Sequence, residues 1–142
     1  TVLLTVADKD KPAIVSIARE FAALGFTLLA TNGTSRLLKS HGILVRKVNK
    51  MGEGRPNIVD HIKNGEIHLI INTPIGRGPK YDEYHLRREA IIHNVPIITT
   101  IQGALAALEG IRTLKRQGLR VKSIQEYHSG KRDKLIRECS AS

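Results

Sequence analysis

Strands alternating with helices predict an α/β domain: a three-layer, Rossmann-like arrangement around a central, mostly parallel five-stranded sheet. Three observations carry that reading. The runs Val2-Leu3-Leu4-Thr5-Val6 and Ile67–Ile71 are nearly continuous in apolar residues, as in strands covered on both faces. Ile14, Ile17, Phe21 and Leu24 recur between strands at helical spacing. Polar or Gly-containing stretches at 7–11, 30–34 and 72–78 each follow a strand, at the end where open parallel sheets hold their ligands.

The elements follow in order. After the first strand, Asp8 or Asp10 is expected to cap a helix with Pro12 in its first turn, and Gly25 stops that helix. Phe26–Ala30 is the second strand. A helix then begins near Thr34 and ends at Gly42, and Ile43–Val48 is a third, weaker strand. Residues 49–56 form a polar loop. Ile58, Val59 and Ile62 mark a short helix closed by Asn64-Gly65. After the fourth strand comes a long loop, 72–80, with Pro74, Gly76, Gly78 and Pro79. A helix at about 81–93 leads to a fifth strand, Val95–Thr99. Ala104, Ala107, Leu108, Ile111 and Leu114 stripe a further helix, and Val121–Gln125 reads as a short last strand.

The chain has 142 residues, enough for one domain with a real core. Residues 1–128 read as that domain and 129–142 as a basic, disordered tail. No apolar run approaches the roughly 18 residues of a membrane span, and nothing resembles a secretory leader. Cys139 is the only cysteine, which fits a reducing, cytoplasmic setting. Because Thr1 directly precedes a strand, a fragment of a longer polypeptide or a processed chain is expected. The net charge of +10 invites a nucleic-acid partner. However, residues 112–142 hold nine Lys and Arg against three acids, so a solvated tail carries most of it. RNA-stacking aromatics are nearly absent, and nucleic acid is not expected as a partner.

The candidate chemistry sits at Ala30-Thr31-Asn32-Gly33-Thr34. A strand that stops at hydroxyls and Gly before a helix presents backbone N–H groups and a positive helix end to an anion. The spacing is neither a P-loop nor a dinucleotide fingerprint. Lys11 and Lys50, each following a strand, supply the cations a bound phosphate dianion needs. Asn72 and Thr73, after the most apolar strand, offer donors and acceptors to a ribose or base. The six histidines show no metal spacing, so neither a metal nor any other cofactor is assigned to this domain.

Taken together, V-A-D-K-D-K at 6–11, A-T-N-G-T at 30–34, V-N-K at 48–50, E-G-R-P-N-I at 53–58, I-K-N-G-E at 62–66, I-I-N-T-P at 70–74 and S-I-Q-E-Y-H at 123–128 resemble the methylglyoxal-synthase-like domain that ends the large subunit of carbamoyl-phosphate synthetase. The resemblance implies a non-catalytic allosteric module that binds a nucleotide monophosphate, UMP or IMP. It implies Lys11, Thr31, Gly33, Thr34 and Lys50 on the phosphate side, and Asn72 and Thr73 on the ribose or base side. It further implies a parent enzyme that uses ATP with Mg or Mn to make carbamoyl phosphate for pyrimidine and arginine pathways. The implied partners are the rest of the large subunit, the small glutaminase subunit and a second copy of the chain. The sequence departs from the pattern at Pro74-Ile75, so the resemblance does not fix the effector. Two enzymes with similar segments fit less well. A methylglyoxal synthase acting on dihydroxyacetone phosphate needs a carboxylate where Met51-Gly52-Glu53-Gly54 places Gly54. The cyclohydrolase of purine synthesis needs a G-G-R-V-K-T-L-H loop that is missing here. A docking or oligomerisation domain without ligand is the remaining alternative.

Overall fold

The computed structural model describes residues 1–74, 81–118, 121 and 123–128. Five strands, β1 (Val2–Thr5), β2 (Leu28–Thr31), β3 (Arg46–Val48), β4 (Leu69–Asn72) and β5 (Ile97–Ile98), form one sheet in the order β3-β2-β1-β4-β5. Every pairing is parallel. The helices are α1 (Lys11–Ala23), α2 (Asn32–Ser40), α3 (Ile58–Lys63), α4 (Tyr81–Ile92) and α5 (Ile101–Gln117). None of them is long and apolar enough to cross a membrane.

The pleat sorts the strand residues into two cores. Val2 and Leu4 of β1, with Leu28 and Ala30 of β2, pack with Ile14, Ile17 and Phe21 of α1, Leu38 of α2, and Ala104 and Leu108 of α5. Leu3, Leu29 and Ile70 point the other way, against Ile58 and Ile62 of α3 and Leu86 and Ala90 of α4. Successive side chains leave opposite faces of a strand, so a strand covered on both sides must be apolar at every position. That is why β1 and β4 carry no polar alternation.

Chain order reverses at β1 and β4. The chain builds outward through β2 and β3 on one side of β1, then returns to lay β4 and β5 on the other. A crevice opens outside the carboxyl ends of the strands at such a reversal. Thr5 and Asn72, the last residues of β1 and β4, lie side by side there.

Several boundaries differ from the sequence reading. Neither Asp8 nor Asp10 caps α1 through its side chain. Asp8–Asp10 instead form a 3-10 turn, and the Asp8 carboxylate pairs with Lys11. Helix α2 starts at Asn32, not near Thr34, so no loop separates it from β2. Strand β5 is only two residues long, because Val95 and Thr99 lie outside its ladder. The expected last strand at Val121–Gln125 is absent: residues 124–128 are helical. The Ser123 backbone N–H donates to the Glu126 carboxylate at 2.6 Å, and the Glu126 N–H donates to the Ser123 hydroxyl at 3.2 Å. That reciprocal pair is a capping box, which outweighs the weak apolar pattern of Val121 and Ile124.

The chain divides into two compact units, Thr1–Arg112 and Thr113–Ser142. The first contains the whole sheet. The expectations for Ile75, Gly76, Arg77, Gly78 and Pro79, for Cys139 and for the 129–142 tail fall outside the described residues.

Candidate functional site

Lys11, Thr31, Gly33, Thr34, Lys50, Asn72 and Thr73 all lie at, or just beyond, the carboxyl ends of β1 to β4. Thr31 ends β2 and is also the N-cap of α2, with an extended backbone (φ −66°, ψ 159°). Its side chain makes no capping bond to the helix. The hydroxyl donates instead to the Thr5 hydroxyl at 3.5 Å, a long contact across the β1–β2 ladder. Helix α2 therefore starts with N–H groups that its own cap does not satisfy. Asn32, Gly33 and Thr34 provide that first turn, and Thr34 is 1 % exposed.

Gly33 lets Lys11 approach. The Lys11 ammonium lies 3.3 Å from where a Cβ on residue 33 would stand. A Cβ at that position would make the ammonium give way by a few tenths of an ångström. Lys11 also forms an ion pair with Asp8, Nζ to Oδ1 at 2.6 Å. The Asp8 carboxyl is held below its ordinary value first by that hydrogen bond, then by the Lys11 charge, and also by the charge of Lys50. The Lys50 charge is the smallest of these influences, and among the described residues no hydrogen bond or ion pair joins the Lys50 side chain to Lys11 or Asp8. The spacing along the chain offers both lysines to one site, but it carries no sign that an acid pairs with Lys11.

Lys50 is positioned by a pinned loop. Its N–H donates to the Glu53 carboxylate at 2.9 Å, and the Glu53 N–H returns to the Lys50 carbonyl at 3.1 Å. The Ile58 N–H reaches the Asn49 carbonyl at 3.0 Å. The Asn49 side-chain amide donates to the Pro56 carbonyl at 3.3 Å. Asn57 then caps α3, accepting from the Val59 and Asp60 N–H groups while Asp60 accepts from the Asn57 N–H. This second capping box anchors the far end of the loop. Glu53 is consumed in holding the turn.

Asn72 and Thr73 differ in role. The Thr73 hydroxyl accepts from the Ala7 N–H at 2.9 Å and ties the end of β4 to the segment after β1. Thr73 is thus a brace of the crevice, whatever else its own O–H donates to. Asn72 is 4 % exposed, and its side-chain nitrogen is buried without a hydrogen-bond partner among the described residues. A buried donor left unsatisfied costs about 1–3 kcal/mol, so a native fold seldom keeps one without a use. Asn72 adjoins Thr5, which touches Thr31. Among the described residues no three His, Cys, Asp or Glu side chains come together to hold a metal ion.

Residues 13–99 match the model of the MGS-like domain. The chain belongs to that family. Within it, the chain is 48 % identical over 131 residues to the C-terminal section of the carbamoyl phosphate synthase large chain of Aquifex aeolicus (strain VF5), a match covering 89 % of this chain and 24 % of that protein. The corresponding section from Methanopyrus kandleri is 50 % identical over 131 residues, covering 92 % of this chain and 24 % of the relative. A carbamoyl phosphate synthase large chain of Nostoc sp. is 47 % identical over 127 residues, which is 12 % of its own length. The MGS-like chain thus spans a quarter or less of the curated relatives it matches. Among solved structures it is similar in fold to a methylglyoxal synthase from Elizabethkingia anophelis NUHP1, with a TM-score of 0.63, 22 % identity and 75 % of each chain covered.

A Cβ at position 33 tests the Lys11 placement. In the MGS-like domain, Gly33→Ala is expected to leave thermal stability unchanged or raised, because Ala favours a helix over Gly by roughly 1 kcal/mol and only a flexible ammonium must shift. Anion affinity should nevertheless fall. A thermal melt and a phosphate titration of the same variant separate the two effects, and a fall in both together would contradict this reading of Gly33.

Proposed function

We propose that this chain is the regulatory, effector-binding section of a carbamoyl phosphate synthase large chain, and that it binds a nucleoside monophosphate of the UMP or IMP type at the carboxyl rim of its sheet. The observation that carries the proposal is the Lys11 ammonium seated against Gly33 in the first turn of α2. An open helix N-terminus and two cations suit a phosphate dianion. The buried Asn72 side-chain nitrogen, without a partner among the described residues, suits an acceptor oxygen on the ribose or base. Thr31 and Thr34 supply hydroxyls, and the Gly33 N–H faces the phosphate.

The parent enzyme on this reading is cytoplasmic and makes carbamoyl phosphate with ATP and Mg or Mn bound elsewhere. Its partners are the rest of the large subunit, the small glutaminase subunit and further copies of the chain. Effector binding regulates that enzyme through differential affinity for two arrangements of this section against the catalytic body. Turnover of dihydroxyacetone phosphate is disfavoured, because a proton-shuttling carboxylate is needed and Glu53 is bound to the Lys50 backbone. Calorimetric titration with UMP and IMP tests the proposal. Saturable heat with either supports it. Silence with both at millimolar ligand, or methylglyoxal formed from dihydroxyacetone phosphate, overturns it.

A further inference from the structure

We infer that Asp8 is an internal competitor of the effector's phosphate, its carboxylate holding the Lys11 ammonium that the phosphate must engage. This rests on the nucleoside monophosphate reading and adds to it a residue that sets the affinity. The charge balance of the site leads there. The α2 N-terminus and the Lys11 ammonium bring positive potential to one place, and the charge of Lys50 reaches the Asp8 carboxyl as well. Lys50 makes no ion pair among the described residues, and Lys11 makes one, to Asp8 at 2.6 Å. Asp8 is thus the one carboxylate paired at this positive end among the described residues.

Its position suits an exchangeable partner rather than a structural one. The Asp8 side chain is 92 % exposed, while that of Lys11 is 28 % exposed. Asp8 belongs to a 3-10 turn of which no residue is buried. Nothing in the core depends on where its carboxylate points. An exposed ion pair is weak, so a dianion held also by helix N–H groups and a second lysine displaces it. Breaking that pair opposes phosphate binding, so Asp8 weakens anion binding through Lys11.

Titration of the wild-type chain, Asp8→Asn, Lys11→Ala and the double variant with UMP and with inorganic phosphate, at one pH and ionic strength, tests this. Asp8→Asn is expected to bind both ligands about two- to fivefold more tightly, the size of an exposed ion pair expressed as an equilibrium ratio. In the Lys11→Ala background the same substitution should give less than half that gain. Unchanged or weaker binding by Asp8→Asn overturns the inference while leaving the nucleotide reading intact. An equal gain with and without Lys11 also overturns it, since the effect would then be general charge. No binding by any of the four proteins removes the nucleotide reading itself, and this inference with it.

Discussion

Lys50→Ala weakens nucleoside monophosphate binding by about 1–3 kcal/mol, roughly five- to 150-fold, without lowering thermal stability. The size follows from the kind of bond: an ammonium donating to a phosphate dianion is charge-assisted, and its loss leaves anionic oxygens without a cation. The absence of a stability cost follows from the structure. Among the described residues, the Lys50 side chain forms no ion pair. What holds the 50–53 turn is the Lys50 backbone N–H and carbonyl, both paired with Glu53. An alanine keeps both. Calorimetry and a thermal melt on one preparation check the two halves, and an unchanged affinity removes Lys50 from the site.

Phe21→Ala should cost about 3–5 kcal/mol of folding stability, the range for a large aromatic truncated in a packed core. Phe21 is fully buried at the end of α1 and meets Phe26 edge to face, ring centroids 5.5 Å apart. The lost contacts fasten α1 to the sheet, and α1 begins at Lys11. Urea unfolding measures the loss. A cost below about 1 kcal/mol would mean that α1 is held chiefly by something other than this core. Saturating nucleotide should recover part of the deficit, because a ligand of the native state shifts unfolding by mass action.

Much of the scaffold is legible in the sequence because burial on both faces leaves a plain mark. The apolar runs of β1 and β4 fit strands that have no solvent side, and the Ile14, Ile17, Phe21 stripe fits a helix with one buried face. The placing of the site residues at strand carboxyl ends follows from the same pattern. Side-chain pairings between distant segments are not legible. The Lys11 ammonium against Gly33, the Thr5 and Thr31 hydroxyls in contact, and the Thr73 bond to the Ala7 N–H all join residues far apart in sequence. No spacing rule reports them. Asp8 misleads for a related reason: an acid ahead of a helix resembles a cap, and a lysine three residues on gives it a competing partner. The helix at 124–128 does leave a local signal, because S-I-Q-E is a capping-box pattern that periodicity alone overlooks. Strand β5 is shorter than its apolar run, since apolar residues beside an edge strand need not join its ladder.

A crystal of this chain grown with UMP or IMP locates the effector's phosphorus atom directly. The phosphorus atom is expected over the first turn of α2, with its oxygens within hydrogen-bond reach of the Lys11 and Lys50 ammonium groups and the Thr34 hydroxyl, and the Asp8 carboxylate turned away from Lys11. A nucleotide seated elsewhere, with Lys11 still paired to Asp8 and Lys50 out of reach of any phosphate oxygen, would contradict it.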